Sequence, residues 1–131
     1  MEEKHNNATQ RRPEGARPLD AGIIPIHIPK YIEQIKNEEA YHKNGKNAIT
    51  VFKSDKVTIT LIALKKEESF QPGKEENEAT MSLQVIKGLI YFESFDHKID
   101  LQEGELVTLH QQLSFKTVAL NDTICLLTMV K

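Results

Sequence analysis

The sequence lacks tryptophan and has only one cysteine in 131 residues. No disulfide can therefore form within one chain. A lone thiol is typical of a reducing compartment, so we expect a cytoplasmic protein. The cysteine, Cys125, lies in the apolar run Ile-Cys-Leu-Leu of residues 124–127. We expect it to be buried and unreactive, because a reactive thiolate needs a cationic, accessible setting that this run does not supply.

Neither sign of charge predominates, since the sequence has 17 basic and 19 acidic residues. No basic cluster alternates with aromatic residues, so the sequence does not predict nucleic-acid binding. No apolar run approaches the ~20 residues of a membrane helix. The N-terminus, Met-Glu-Glu-Lys-His-Asn-Asn, is polar and acidic where a signal peptide is basic and then apolar. Neither a membrane partner nor a leader is expected.

Apolar periodicity is missing from residues 1–20, which contain two prolines, a glycine and alternating charges. Such a segment has little apolar surface to offset the entropy lost on ordering, so it is predicted to be a flexible N-terminal arm. An alternative stays open for its last part, Arg-Pro-Leu-Asp at 17–20, which would dock on the body or on a partner subunit. Residues 21–131 have the length of a single domain.

Helical periodicity is confined to one short segment. Residues 23–29 are apolar but interrupted by proline, which indicates an edge strand or an extended connection. Pro29 suits the first turn of a helix, and residues 30–41 follow it with apolar side chains at helical spacing. One short N-terminal helix is therefore predicted.

From residue 48 onward the apolar period becomes 2, and β-branched residues are frequent. Strands are predicted at residues 48–52, 56–64, 83–86, 89–92, 99–101, 106–109, 113–118 and 124–130. Short, evenly spaced strands joined by glycine-rich and charged turns are typical of an all-β sandwich or barrel. Several strands are apolar on both faces, so one face would fill the interior and the other would pack on a second sheet, a helix or another subunit.

Three segments resemble a small single-domain cupin: SLQVIKGLIYF at 82–92, LQEGELVTLH at 101–110 and VALNDTICLLT at 118–128. The likeness covers residues 70–131 well and 45–70 loosely. It implies an all-β fold, the double-stranded β-helix or jelly roll of the cupin barrel. The domain would then be 21–131, a single cupin-like β-barrel preceded by the arm.

The cupin motifs, aligned on Gly88 and Gly104, also imply where the family's metal ligands would fall in this sequence. The four positions are Glu75, Asn77, Met81 and Phe115. The family has histidine, histidine, glutamate and histidine there. Phenylalanine cannot coordinate a metal, and the methionine thioether is a poor donor for the Fe, Mn, Zn or Ni that cupins hold. The resemblance therefore implies a domain that keeps the spacing of the site without its ligands, with no metal and no cofactor.

Two classes of function stay open. The first is a metal-free cupin-like domain that binds a small molecule or acts as an interaction module, in a homodimer. The alternative is a cupin-type enzyme, a relative of isomerases or oxygenases, with a relocated or non-metal site around Glu75 and His110. His110 is expected at the pocket rim, either as an acid–base group or hydrogen-bonded to the backbone. The interior around Met81 and Phe115 is either plugged by side chains or open to one small ligand.

Overall fold

The computed structural model describes residues 3–71, 80–110 and 114–131. Two helices lie in this part of the chain, α1 at Ile28–Asn37 and α2 at Glu39–Asn44. The strands are β1 Lys4–Asn6, β2 Arg17–Asp20, β3 Lys46–Lys53, β4 Val57–Leu64, β5 Thr80–Lys87, β6 Leu89–Ser94, β7 His97–Gln102, β8 Leu106–Leu109, β9 Lys116–Ala119 and β10 Thr123–Val130. The strands predicted from residue 48 onward therefore all exist, with bounds that differ by a few residues.

Two antiparallel sheets form the body of the protein. The larger has five strands in the order β3-β4-β10-β5-β8, and the smaller has three in the order β7-β6-β9. After β5 the chain crosses to the smaller sheet for β6 and β7, returns to the larger for β8, crosses again for β9 and ends in the larger with β10. Both sheets are therefore built from interleaved segments, as in a jelly roll. This confirms the all-β prediction. Among the described residues the two sheets face each other, and neither closes on itself into a barrel.

The space between the sheets holds the main core, called here the inter-sheet core. Burial alternates along β5, where Met81, Leu83 and Val85 point inward and their neighbours do not. This is the two-residue period of a strand with one face buried. The other buried members come from β4, β6 to β10 and the residue before β9: Ile62, Leu64, Ile90, Phe92, Leu101, Leu109, Phe115, Ala119, Cys125, Leu127 and Met129.

A second core lies on the outer face of β3 and β4, where both helices pack. Its buried members are Ile35, Tyr41, Ile49, Val51, Leu61, Ala63 and Ile124. Because the helices cover this face, β4 is apolar on both sides over residues 61–64. Of the coverings that the sequence left open for outer strand faces, a helix is the one found over β3 and β4.

The single predicted helix over residues 30–41 is two helices in the structure. Glu38 interrupts it with extended backbone angles of φ −76° and ψ 151°. Burial disfavours the charged Glu38 carboxylate, but hydrogen bonds from Arg12, Asn47 and Gln34 outweigh that cost and lower its pKa. The break therefore places a carboxylate where three donors converge. Neither helix in the described ranges has the length and hydrophobicity to span a membrane.

The N-terminal residues also differ from the predicted flexible arm. Strands β1 and β2 pair in an antiparallel hairpin, and β2 lies against β3. The buried Arg17 guanidinium donates to the Thr50 carbonyl at 2.7 and 3.0 Å and to the Gly15 carbonyl at 2.7 Å. Thr50 stands beside a bulge in β3, where the ladder register shifts. In the structure Arg-Pro-Leu-Asp at 17–20 docks on the body, which was one of the alternatives that the sequence left open. Residues 23–27 form an extended connection and not an edge strand.

Candidate functional site

The residues that the sequence assigned to the site differ in burial, and two of them are not described by the structure. Glu75 and Asn77 lie outside the described residues. Met81 is 2% exposed on β5, and Phe115 is 9% exposed just before β9. His110 is exposed directly after β8. An exposed side chain is compatible with the predicted rim position, so the role of His110 and the enzyme alternative stay predictions.

Phe115, which the motif spacing aligns with a cupin metal ligand, belongs to an aromatic cluster in the inter-sheet core. Its ring stacks on Phe92 with centroids 5.5 Å apart and 23° between planes. The Phe70 ring meets it edge-on, with centroids 6.0 Å apart. Both arrangements are favourable for aromatic pairs. These three packed rings have no donor atom for a metal.

Met81 has equally apolar neighbours. Across the strand pairs of the large sheet it stands opposite Met129 on one side and Leu109 on the other. All three side chains are at most 5% exposed. The inter-sheet core thus closes around Met81 and Phe115, and the plugged interior, one of the two alternatives predicted, holds at these two positions.

An open cleft lies beside this plug, on the inner face of β3, β4 and β10. Its volume is about 360 Å³. The described lining consists of Lys46, Asn47, Ala48, Thr50, Thr60, Ile62, Leu64, Phe70, Gln71, Leu127 and Met129. Phe70 and Met129 connect the cleft to the plug, because Phe70 contacts Phe115 and Met129 is paired with Met81. A pocket and a plug therefore coexist in one interior.

The cleft has an apolar floor and a pair of hydroxyl-bearing walls. Ile62, Leu64, Leu127 and Met129 form the floor, and each is at most 5% exposed. Thr50 and Thr60 stand opposite each other across the β3–β4 ladder, and both are half-buried. Sequence reasoning missed these threonines. The sequence did contain an indication for Thr60. Its two-residue spacing from Ile62 and Leu64 places its hydroxyl on the same inward face of the strand.

The chemistry available in the described part of the chain is limited. No group of three His, Cys, Asp or Glu side chains comes together there to hold a metal ion. Burial raises the pKa of the Cys125 thiol to about 12, so the thiolate is scarce at neutral pH, in keeping with the unreactive cysteine that the sequence predicted. A larger groove of about 610 Å³ runs between the N-terminal segment and α1, but charged and polar side chains line most of it. The inner cleft is therefore the best candidate site.

The fold can be compared with known proteins. No protein-family model matches the sequence, and no curated protein is significantly similar to it. A cupin superfamily protein from Desulfitobacterium hafniense superposes with a TM-score of 0.65 over 97% of both chains, at 18% identity. The chain has the cupin fold.

Two further cupin-fold structures are similar to this chain. One is KdgF from Halomonas sp., with a TM-score of 0.59, 14% identity and coverage of 68% of this chain and 82% of that one. The other is the Cupin_2 domain of an XRE family transcriptional regulator from Enterobacter cloacae, with a TM-score of 0.58, 12% identity and coverage of 66% and 97%. At these identities the likeness concerns the fold, and one cupin fold hosts different functions.

Proposed function

We propose that this protein is a cytoplasmic cupin-fold domain that binds a small, largely apolar molecule in the inner cleft without a metal. One observation carries the proposal: Met81 and Phe115, which the motif spacing aligns with cupin metal ligands, are buried in apolar surroundings, while a cleft of about 360 Å³ stays open beside them. This volume falls in the range of small-molecule sites, which are mostly apolar with a few polar groups. The lone buried cysteine supports the cytoplasmic assignment.

The lining supports binding rather than catalysis. The apolar floor would gain about 25 cal/mol for each Å² that a ligand removes from water. The Thr50 and Thr60 hydroxyls can each donate and accept one hydrogen bond and would orient a polar group of the ligand. Neither hydroxyl has a described acid–base partner within the cleft, which is lined by one cation and otherwise neutral side chains.

A bulky residue at Thr60 is expected to abolish binding. Indole is a suitable probe because it is small, neutral and amphipathic. We expect indole to shift the methyl resonances of Ile62, Leu127 and Met129 in the wild-type protein, and Thr60→Phe to remove those shifts by filling the cleft. The matched control is Thr128→Phe on neighbouring β10, since Thr128 is equally half-buried but lies on the opposite sheet face. The control should bind indole like the wild type.

Two results would contradict the proposal. Indole shifts that persist in Thr60→Phe would place binding outside the cleft. Near-stoichiometric Fe, Mn, Zn or Ni in protein purified without chelator, measured by mass spectrometry and lost in Glu75→Ala, would contradict the metal-free part. In that case metal chemistry at a relocated site would become the better account.

The second part of the proposal is a homodimer formed through the outer face of β5, β8 and β10. In the described structure the helices pack over β3 and β4, and the core beneath them reaches Ile124 and Leu126 on β10 and Ile86 on β5 but neither Leu106 nor Val130. Leu106 on β8 is 53% exposed there, and Val130 on β10 is 44% exposed. Across the ladder Leu106 stands opposite Gln84, which in turn stands opposite half-buried Leu126. A second copy would bury this mixed apolar surface in a two-fold contact.

A charge on this face should dissociate the dimer. We expect sedimentation velocity at low micromolar concentration to give a species of twice the 14.9 kDa chain mass for the wild type, and a monomer for Leu106→Glu. The reason is that a two-fold contact would bring two glutamates together in an apolar interface. Phe95→Glu is the control, because Phe95 is 74% exposed at a hairpin tip of the other sheet. A wild-type monomer, or dissociation by the control alone, would rule out this face.

A further inference from the structure

The polar groups of the cleft differ in how far they are already engaged. Asn47 is fully committed elsewhere: its amide donates to the Ile35 carbonyl at 2.9 Å and to Glu38 at 2.8 Å, and its oxygen accepts from the Ala48 amide at 2.9 Å. Asn47 therefore lines the cleft without a free donor or acceptor directed into it. Thr50, Thr60, Gln71 and Lys46 are left to contact a ligand.

Lys46 is the single charged side chain in the described lining. Lys46 is the first residue of β3 and is paired with Leu64, which is part of the cleft floor. Its ammonium donates to the Ser69 carbonyl at 3.1 Å, and this contact holds it at the mouth. An ammonium has three donors, so two are left for a ligand. Glu68, whose carboxylate lies over Gly45, forms no salt bridge with Lys46 in the described structure.

From this arrangement we infer that the ligand is an amphipathic monoanion, with a carboxylate or similar head at Lys46 and an apolar tail on the floor. This inference rests on the proposed function and specifies its ligand class. An anion gains a charge-assisted hydrogen bond from Lys46, whereas a cation would be repelled by it. At the ~30 Å³ that a water-sized group occupies, the cleft has room for roughly ten to twelve non-hydrogen atoms. A fatty-acid-like chain of about eight carbon atoms fits that space.

The test compares three probes that share one tail: octanoate, 1-octanol and octylamine. Dissociation constants are measured on the full chain at neutral pH and low salt from the methyl shifts of Ile62, Leu127 and Met129. We expect octanoate to bind about fivefold to tenfold more tightly than 1-octanol, the gain from one charge-assisted hydrogen bond, and octylamine to bind more weakly than both.

Lys46→Met removes the ammonium and keeps most of the apolar stem, so it should abolish the preference for octanoate and leave 1-octanol binding within about twofold, because the stem still packs. Lys53→Met, at the other end of the same strand and outside the cleft, is the matched control and should keep the preference. A preference that survives Lys46→Met, or equal binding of all three probes, would overturn the anion assignment while leaving apolar binding intact. Methyl shifts with none of the three probes, nor with indole, would overturn the cleft itself.

Discussion

Replacing Gly88 by alanine is expected to lower the free energy of unfolding by about 3–4 kcal/mol, the largest loss expected for alanine at any of the five glycines in the described residues. Gly88 joins β5 to β6 with φ +98°, a conformation that is unfavourable for any residue with a Cβ. An added Cβ would also stand 2.4 Å from the Asp122 carbonyl oxygen and 2.8 Å from the Thr123 Cα. Both obstacles are backbone atoms, so relief requires moving the turn before β10.

Gly104→Ala separates the two parts of this effect. Gly104 has a similar φ of +82°, but a Cβ there would meet no atom within 4 Å. Its alanine variant should lose only the conformational part, about 1–2 kcal/mol. Urea or guanidinium denaturation of both variants, compared at equal m-value, measures the difference. Equal losses would show that the close approach of Gly88 to the β10 turn contributes nothing.

The same two glycines explain why so much of the fold could be predicted. Gly88 and Gly104 occupy turns with positive φ, which glycine adopts without the steric cost of a Cβ, and strands β5 and β6 on either side of Gly88 keep a two-residue burial period. Strand β8 matches its predicted bounds of 106–109, and β4 begins one residue inside its prediction. Local pattern and turn chemistry agree along this half of the chain, which is the condition for reading a structure from sequence.

The N-terminal hairpin could not be predicted in that way. The contacts that order it are long-range: Arg17 binds the Thr50 carbonyl, and Arg12 pairs with Glu38 at 2.8 Å. Neither contact leaves a periodic trace in residues 1–20, where composition alone indicates a solvated arm. A guanidinium that satisfies strand carbonyls is decided by tertiary geometry, and a sequence pattern does not record it.

The candidate site also has a part that could be predicted from the sequence and a part that depends on tertiary structure. The positions of Met81 and Phe115 follow from the motif spacing, and their apolar character already argued against a metal ligand role. The cleft depends instead on the sheet order β3-β4-β10, in which β10 is far from β3 and β4 in the chain. Thr50 and Thr60 become a pair only through that sheet order and register. The sequence pattern could place Thr60 on the inward face of its strand, but it could not show that a cleft opens there.

The arrangement also links the N-terminal hairpin to the cleft. Arg17 donates to the Thr50 carbonyl, and the Thr50 side chain forms a wall of the cleft. The bulge beside Thr50 makes this stretch of β3 less regular than its neighbours, so the guanidinium supplies hydrogen bonds that the ladder does not. The hairpin thereby stabilises the one edge strand on which the proposed binding site is built.

Among the substitutions proposed, removal of the Phe115 ring should cause the second largest loss in the free energy of unfolding. Phe115→Ala is expected to cost about 3 kcal/mol, within the range for a buried aromatic side chain that leaves a cavity. The loss includes the stacking on Phe92 at 5.5 Å and the edge contact with Phe70 at 6.0 Å. For a domain of this length that corresponds to a fall in Tm of roughly 10 °C, measurable by calorimetry.

The cavity left by this variant would adjoin the cleft, because Phe70 both lines the cleft and contacts Phe115. We therefore expect Phe115→Ala to accept apolar probes larger than indole that the wild type excludes. Phe95→Ala is the matched control: Phe95 is 74% exposed, so its loss should change the free energy of unfolding by less than about 0.5 kcal/mol and leave probe size unaffected. A Phe115→Ala variant as stable as this control would show that the aromatic cluster is not the plug of the cupin interior, and the apolar account of the site would then fail with it.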